Sequence, residues 1–148
     1  MKNSILIFLC IALVFCFASC KERMSAEDTL YRICADSELP SGETYLKSSE
    51  EGSVGYLDGN MITSLYGKEG RTAFALLEDY AIYLSSFAEP YEIAVFRCYS
   101  RSDTDTIAKL CLSRIEELRV ILRDTEYFGL VDRARVTVKG KTVIMKIA

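Results

Sequence analysis

The sequence contains thiols, carboxylates and tyrosine hydroxyls as groups that could do chemistry, but it contains no histidine. Without histidine the chain can form neither a Ser-His-Asp nor a Cys-His catalytic pair, and it lacks the commonest metal ligand. Six cysteines are present, but no two of them form a Cys-x-x-Cys pair, so their spacing favours neither a zinc site nor a thioredoxin-like centre. We therefore predict that the protein has no metal and no cofactor.

Cys20 is the cysteine with the most specific surroundings. Residues 17–22 read FASCKE, so the small residues Ala18 and Ser19 directly precede it. This pattern is similar to the bacterial lipobox, in which the cysteine thiol receives a diacylglycerol before the chain is cut in front of it. Two acyl chains on one cysteine hold a protein firmly on a membrane. We predict Cys20 as the lipidation site, with the membrane as a partner through that lipid.

The residues before Cys20 have the layout of an export signal. Lys2 is followed by an uninterrupted apolar run over residues 5–17, which is shorter than the roughly 20 residues that span a membrane. We predict a lipoprotein-type signal peptide over residues 1–19 and a location on the outer face of the cell membrane. Phe17 stands where a lipobox usually has leucine, so ordinary cleavage and secretion remain the alternative.

Three cysteines follow Cys20 in the chain, namely Cys34, Cys98 and Cys111. Thiols without a metal-type spacing are most often small buried apolar groups, and this is the interpretation that we favour. The alternative is one disulfide between Cys98 and Cys111, which both lie near the same predicted connection between a strand and a helix.

The part of the chain after the signal, residues 20–148, has the length of a single domain. The net charge of the whole sequence is −3, which is too mild to suggest nucleic acid as a partner. We predict an irregular and helical N-terminal part over residues 20–77 and a regular core over 78–148. In the N-terminal part, Ser25 caps a predicted helix over about 26–37, and Asn60 and Gly67 bound a second one.

The core has clearer patterns. Residues 78–86 and 91–100 are rich in β-branched and aromatic side chains and are separated by a turn at Pro90, which predicts two strands. A helix over 73–84 is the competing interpretation. Ser102 and Asp105 then form a helix-capping pattern, and apolar residues recur after it at helical spacing. The predicted amphipathic helix has this stripe: Ile107, Leu110, Cys111, Ile115, Leu118, Ile121 and Leu122.

The chain closes with two alternating segments on either side of Lys139 and Gly140, which predicts a β-hairpin with the glycine in its turn. The core order is then strand, strand, helix, strand, strand. We predict an α+β fold with an antiparallel sheet and helices packed on one of its faces, preceded by the N-terminal helix and the glycine-rich segment.

The segments YAIYLSS, YEIAVFRC and LSRIEEL, with the closing hairpin, resemble a family of bacterial lipoproteins catalogued as domain of unknown function 4358. The resemblance covers residues 78–148. It implies an N-terminal lipobox, in agreement with Cys20. Members of that family are uncharacterised, so the resemblance implies no activity and no catalytic residues.

Arg114 falls in the middle of the apolar stripe of the long helix, where an unpaired charge would be costly. We expect an ion pair with Glu92, at the start of the second core strand, or with Glu117 one turn along the helix. An arginine that binds a ligand is the alternative.

The last part of the chain is basic. In a lipid-tethered domain, its cationic side chains could lie against anionic lipid or an anionic wall polymer. The alternative is that they protect an edge strand from pairing with other chains. The residues concerned are Arg133, Arg135, Lys139, Lys141 and Lys146.

Two functions from different classes are compatible with these patterns. We favour a non-catalytic accessory or interaction module of the bacterial envelope, with an envelope protein or an anionic polymer as possible partner. The alternative is an envelope enzyme, a hydrolase or transferase on wall material, that works through carboxylates and tyrosines such as Asp79, Glu92 and Tyr91. A cleft with two neighbouring carboxylates would favour the enzyme.

Overall fold

The computed structural model describes residues 24–86 and 89–148. The predicted signal peptide over residues 1–19 and the lipidation site Cys20 lie outside the described residues. No helix in the described part of the chain is long and apolar enough to cross a membrane.

One antiparallel sheet of five strands forms the centre of the fold, in the spatial order β1-β2-β3-β5-β4. The predicted α+β class with an antiparallel sheet is confirmed. The β-branched and aromatic content of the second strand selects the extended form over the competing helix. The strands are β1 (Gly42–Leu46), β2 (Leu77–Ser85), β3 (Glu92–Cys98), β4 (Arg135–Lys139) and β5 (Thr142–Ile147).

Within the described residues, four α-helices accompany the sheet: α1 (Ala26–Ala35), α2 (Gly59–Phe74), α3 (Thr104–Ile121) and α4 (Phe128–Asp132). A short 3₁₀ turn over Arg101–Asp103 leads into α3. The cap of this turn is Ser100, whose side chain accepts from the backbone of Ser102 while Asp103 accepts from the backbone of Ser100. The cap therefore lies two residues before the predicted cap at Ser102, because Ser100 and Asp103 satisfy free N–H groups there.

Helices cover both faces of the sheet, which differs from the predicted packing on one face. Side chains of a strand alternate between faces, so β2 and β3 present two apolar surfaces. The larger core cluster contains Phe96 and Ile82 together with α3 and α2. The smaller cluster, on the opposite face, contains Ala81, Ile93 and Val95 together with Leu30 of α1. The two central strands are nearly continuous apolar runs because both of their faces are buried.

The part of the chain over residues 24–77 contributes to the same core. β1 pairs with β2 along the edge of the sheet, and Leu57 and Tyr66 belong to the larger cluster. The helix predicted between Asn60 and Gly67 is capped by Asp58 and is interrupted at Gly67, whose φ of 72° is left-handed, before it resumes toward Phe74. The core therefore reaches further back along the chain than the predicted start at residue 78.

The variant Leu30→Ala tests whether α1 packs on the second face of the sheet. Leu30 is fully buried in the smaller cluster, so its truncation should lower the free energy of unfolding by about 2–5 kcal/mol. Leu112→Ala is the matched control, because that leucine of α3 is 50% exposed and should cost less than about 1 kcal/mol. Urea unfolding of both variants measures the difference, and equal costs would contradict the packing of α1 on the sheet.

Candidate functional site

Among the residues that the structure describes, Glu92 is the buried carboxylate, and both of its oxygens have partners. The Tyr66 hydroxyl donates to Oε1 at 2.7 Å, and Arg114 Nε donates to Oε2 at 3.2 Å. The side chain of Glu92 is 3% exposed and that of Arg114 is 14% exposed. Glu117, the second partner considered for Arg114, is 53% exposed and reaches only 3.9 Å from Nη1. The structure thus brings Arg114 together with Glu92 and adds Tyr66.

The local sequence explains how three separate elements supply this group. Glu92 begins β3 on the sheet face that α3 covers, opposite Leu84 of β2. Arg114 lies in the middle of α3, between Leu110 and Leu118, which are also buried against the sheet. Tyr66 is the residue just before Gly67, where α2 is interrupted. We call Tyr66, Glu92 and Arg114 the buried triad.

The surroundings of Tyr66 in the buried triad keep its hydroxyl protonated. Burial raises the pKa of the Tyr66 hydroxyl well above its ordinary value, and the negative charge of Glu92 raises it further. The hydroxyl therefore keeps its proton and donates it to Glu92 in a hydrogen bond. With a phenol and a guanidinium occupying its two oxygens, Glu92 has the surroundings of a structural carboxylate rather than of a general base.

Asp79 and Tyr91, the other residues of the enzyme hypothesis, do not form a common site with Glu92. Asp79 accepts a hydrogen bond from the backbone of Ala26 at 2.9 Å and so fixes the start of α1. It pairs across the sheet with Arg97 on the face that α1 covers, whereas Glu92 lies on the face that α3 covers. Tyr91 is half-buried beside Glu92 but is not part of the buried triad. The described residues therefore do not place two of these carboxylates in one cleft.

Cys34, Cys98 and Cys111 are free thiols in the structure. Cys98 and Cys111 are fully buried in the larger core cluster. Burial raises the pKa of the Cys98 thiol to about 11 and that of Cys111 further, so both are protonated at neutral pH and poor nucleophiles. No group of three or more potential metal ligands occurs among residues 24–86 and 89–148.

The basic residues predicted as an anionic-surface site do not form one patch. Arg135 and Lys146 are paired across β4 and β5, and Lys146 donates to the Ser37 hydroxyl at 2.8 Å. Arg133 lies before β4, at the end of α4. Lys139 and Lys141 lie at the other end of the hairpin, on either side of its turn at Gly140, whose φ is 62°.

Lys139 and Lys141 line an open groove of about 580 Å³ between α1 and the β4–β5 hairpin. Arg97 and Arg101 line it as well, and Met24 and Thr29 form the opposite side. We call this site the basic groove. Its lining consists of Met24, Thr29, Arg97, Arg101, Lys139, Gly140, Lys141, Thr142 and Ile144, and no acidic side chain belongs to it among the described residues.

Three of the four cations in the basic groove have no carboxylate partner in the described part of the chain. Arg97 is the exception, since its Nε lies 3.1 Å from Glu78 and its Nη1 donates to the carbonyl of Met24 at 3.3 Å. Lys141 donates to the neutral carbonyl of Tyr99 at 2.6 Å. The groove therefore carries uncompensated positive charge from Arg101, Lys139 and Lys141, which suits an anionic ligand.

Arg97, Arg101 and Met24 were not predicted as binding-site residues. Arg97 is the charged residue next to the end of the apolar strand β3, and Arg101 follows in the connection to α3. Neither forms a motif with Lys139 and Lys141, which are distant in the sequence and become neighbours only because β3 pairs with β5. The one available signal was a charged residue, Arg97, within the otherwise apolar run of β3 after Glu92.

Comparison of the chain with protein-family models, with curated proteins and with solved structures gave no match. The resemblance of residues 78–148 to the uncharacterised lipoprotein family therefore stays a prediction.

Replacing Arg114 tests the structural role of the buried triad. Arg114→Leu leaves Glu92 charged and buried beside Tyr66 alone, so the free energy of unfolding should fall by about 3–5 kcal/mol. Arg119→Leu is the matched control on the same helix, because its partners Glu116 and Asp132 are both largely exposed and the loss should stay below about 1 kcal/mol. Urea unfolding measures both values.

Replacing the whole buried triad completes this test. The triple variant Tyr66→Phe, Glu92→Leu and Arg114→Leu removes every polar partner at once, so much of the lost stability should return. If Arg114 instead binds a ligand, its replacement should change the free energy of unfolding equally with and without Glu92. The single variants Arg114→Leu and Glu92→Leu with their double variant give the coupling energy between the two residues, and a value near zero would contradict the structural role.

Thiol accessibility can be tested by alkylation at pH 8. The half-buried Cys34 should react in the folded protein, whereas Cys98 and Cys111 should react only after unfolding. Peptide mass spectrometry identifies the alkylated thiols, and alkylation of Cys111 in the folded state would contradict this expectation.

The same two buried thiols predict a pH dependence of stability. Above the ordinary thiol pKa near 9, Cys98 and Cys111 of the unfolded chain lose their protons, while the folded protein keeps them up to about pH 11. The free energy of unfolding should therefore fall as the pH rises from 9 to 11.

Proposed function

We propose that this protein is a lipid-anchored interaction module on the outer face of a bacterial cell membrane, held there by a lipid on Cys20 and without catalytic activity of its own. Ala18 and Ser19 before Cys20, and the short apolar run before them, support the anchor. The observation that carries the non-catalytic assignment is the occupation of both Glu92 oxygens by Tyr66 and Arg114.

The kind of partner follows from the charge of the surface. The overall charge is negative, yet the basic groove gathers Arg101, Lys139 and Lys141 without a carboxylate partner among the described residues. A protein with this distribution favours an anionic partner at that one place. Anionic lipid and an anionic wall polymer are the partners of this chemistry that an envelope offers.

Cys20→Ala tests the anchor. Without the thiol, no diacylglycerol can be attached, so the variant should carry no label after growth with a radioactive or clickable fatty acid. It should also leave the membrane fraction or accumulate as an uncut precursor. Cys34→Ala is the matched control, because this thiol lies in α1 and its loss should leave both labelling and fractionation unchanged. Equal labelling of Cys20→Ala and the parent would exclude the lipoprotein assignment.

A further inference from the structure

The distance from the predicted anchor to the basic groove is limited by the chain itself. Met24 lines the groove and follows Cys20 by four residues. Four residues span at most about 14 Å whatever their conformation. If Cys20 carries the lipid, as the proposed function holds, the groove is therefore tethered close to the lipid headgroups.

Contacts of Met24 attach the chain to this end of the fold. Arg97 Nη1 donates to the Met24 carbonyl, and the Met24 sulfur lies 3.1 Å from Nη1 of Arg32. Just beyond, Asp79 holds the backbone of Ala26 at the start of α1. The chain thus leaves the domain beside the basic groove, so a short tether holds this end of the domain toward the membrane.

Protection of an edge strand from pairing with other chains does not account for all of the cations in the basic groove. β4 is one of the two edge strands, and charges such as Lys139 on it would discourage pairing with another chain. Arg101 lies in the 3₁₀ turn and Lys141 in the hairpin connection, where neither protects an edge. Tyr99, whose carbonyl accepts from Lys141, is 57% exposed. Tyrosine is enriched at the headgroup level of membranes, so an exposed tyrosine next to the groove is compatible with a surface that faces lipid.

We propose that the basic groove is the surface with which the anchored domain docks on anionic phospholipid headgroups. Arg101, Lys139 and Lys141 contact the lipid phosphates, and the lipid on Cys20 keeps the groove at a high effective concentration near them. This proposal rests on the proposed function for the tether, while the charge of the groove is independent of it. An anionic wall polymer competes for the same charges without the advantage of the short tether.

Amine labelling of the full-length protein reconstituted in vesicles tests the docking. In vesicles that contain phosphatidylglycerol, Lys139 and Lys141 should react several-fold more slowly with an amine reagent than in pure phosphatidylcholine. Lys68, an exposed lysine of α2, should react equally in both. Added salt should restore the reactivity of the two groove lysines, because it screens exposed charges.

Arg101→Gln with Lys139→Gln removes two groove cations and leaves Lys141 as the reporter. The docking equilibrium should weaken by roughly 30-fold, since each basic residue near an anionic surface contributes about a factor of five, and the protection of Lys141 should disappear. Arg123→Gln with Arg133→Gln is the matched control, because these exposed arginines lie outside the groove. The control should keep the protection.

Several results would overturn the docking proposal: no protection in phosphatidylglycerol, equal protection of Lys68, or equal loss of protection in the two double variants. Protection of Lys141 by soluble poly(glycerol phosphate) but not by phosphatidylglycerol vesicles would overturn it in favour of a polymer. Vesicle flotation distinguishes a failure of the docking proposal from a failure of the proposed lipid anchor on Cys20. A chain that fails to float with pure phosphatidylcholine overturns the lipid on Cys20, whereas a chain that floats without groove protection overturns the docking alone.

Discussion

The burial of one carboxylate organises the larger side of this fold. Glu92 opens the central strand β3, and its two oxygens bind Tyr66 from α2 and Arg114 from α3. A buried charge is tolerated only where its hydrogen-bonding capacity is filled. The buried triad therefore fixes how α2 and α3 lie on the sheet, since a shift of either helix would leave Glu92 or Arg114 without its partner.

The opposite face of the sheet depends on a weaker but analogous contact. Asp79 accepts from the first turn of α1, where a carboxylate is favoured by the free N–H groups and the helix dipole. Leu30 then fills the smaller cluster over Ala81 and Val95. This packing also decides where the chain enters the domain, because α1 begins beside the basic groove.

The charges of the domain fall into two groups with different consequences. Those of the buried triad, with Arg97 and Glu78, are satisfied within the fold and contribute to its stability and geometry. Those of Arg101, Lys139 and Lys141 face an open groove and have no carboxylate partner in residues 24–86 and 89–148. Neighbouring cations repel one another, and an anion bound in the groove would reduce this repulsion.

Local patterns in the sequence determined the antiparallel sheet, the long helix α3 and the hairpin at Gly140, because side-chain periodicity and turn residues act over short distances. They also singled out Arg114 as a charge in need of a partner, with Glu92 as first candidate. Strand β1, the α1 layer on the second face, and Tyr66 beside Glu92 were not predicted. Each of them depends on contacts between residues far apart in the chain, such as Thr44 with Tyr83 in β2. The basic groove was likewise decided only by tertiary structure, since the pairing of β3 with β5 is what brings Arg97 and Arg101 to Lys139 and Lys141.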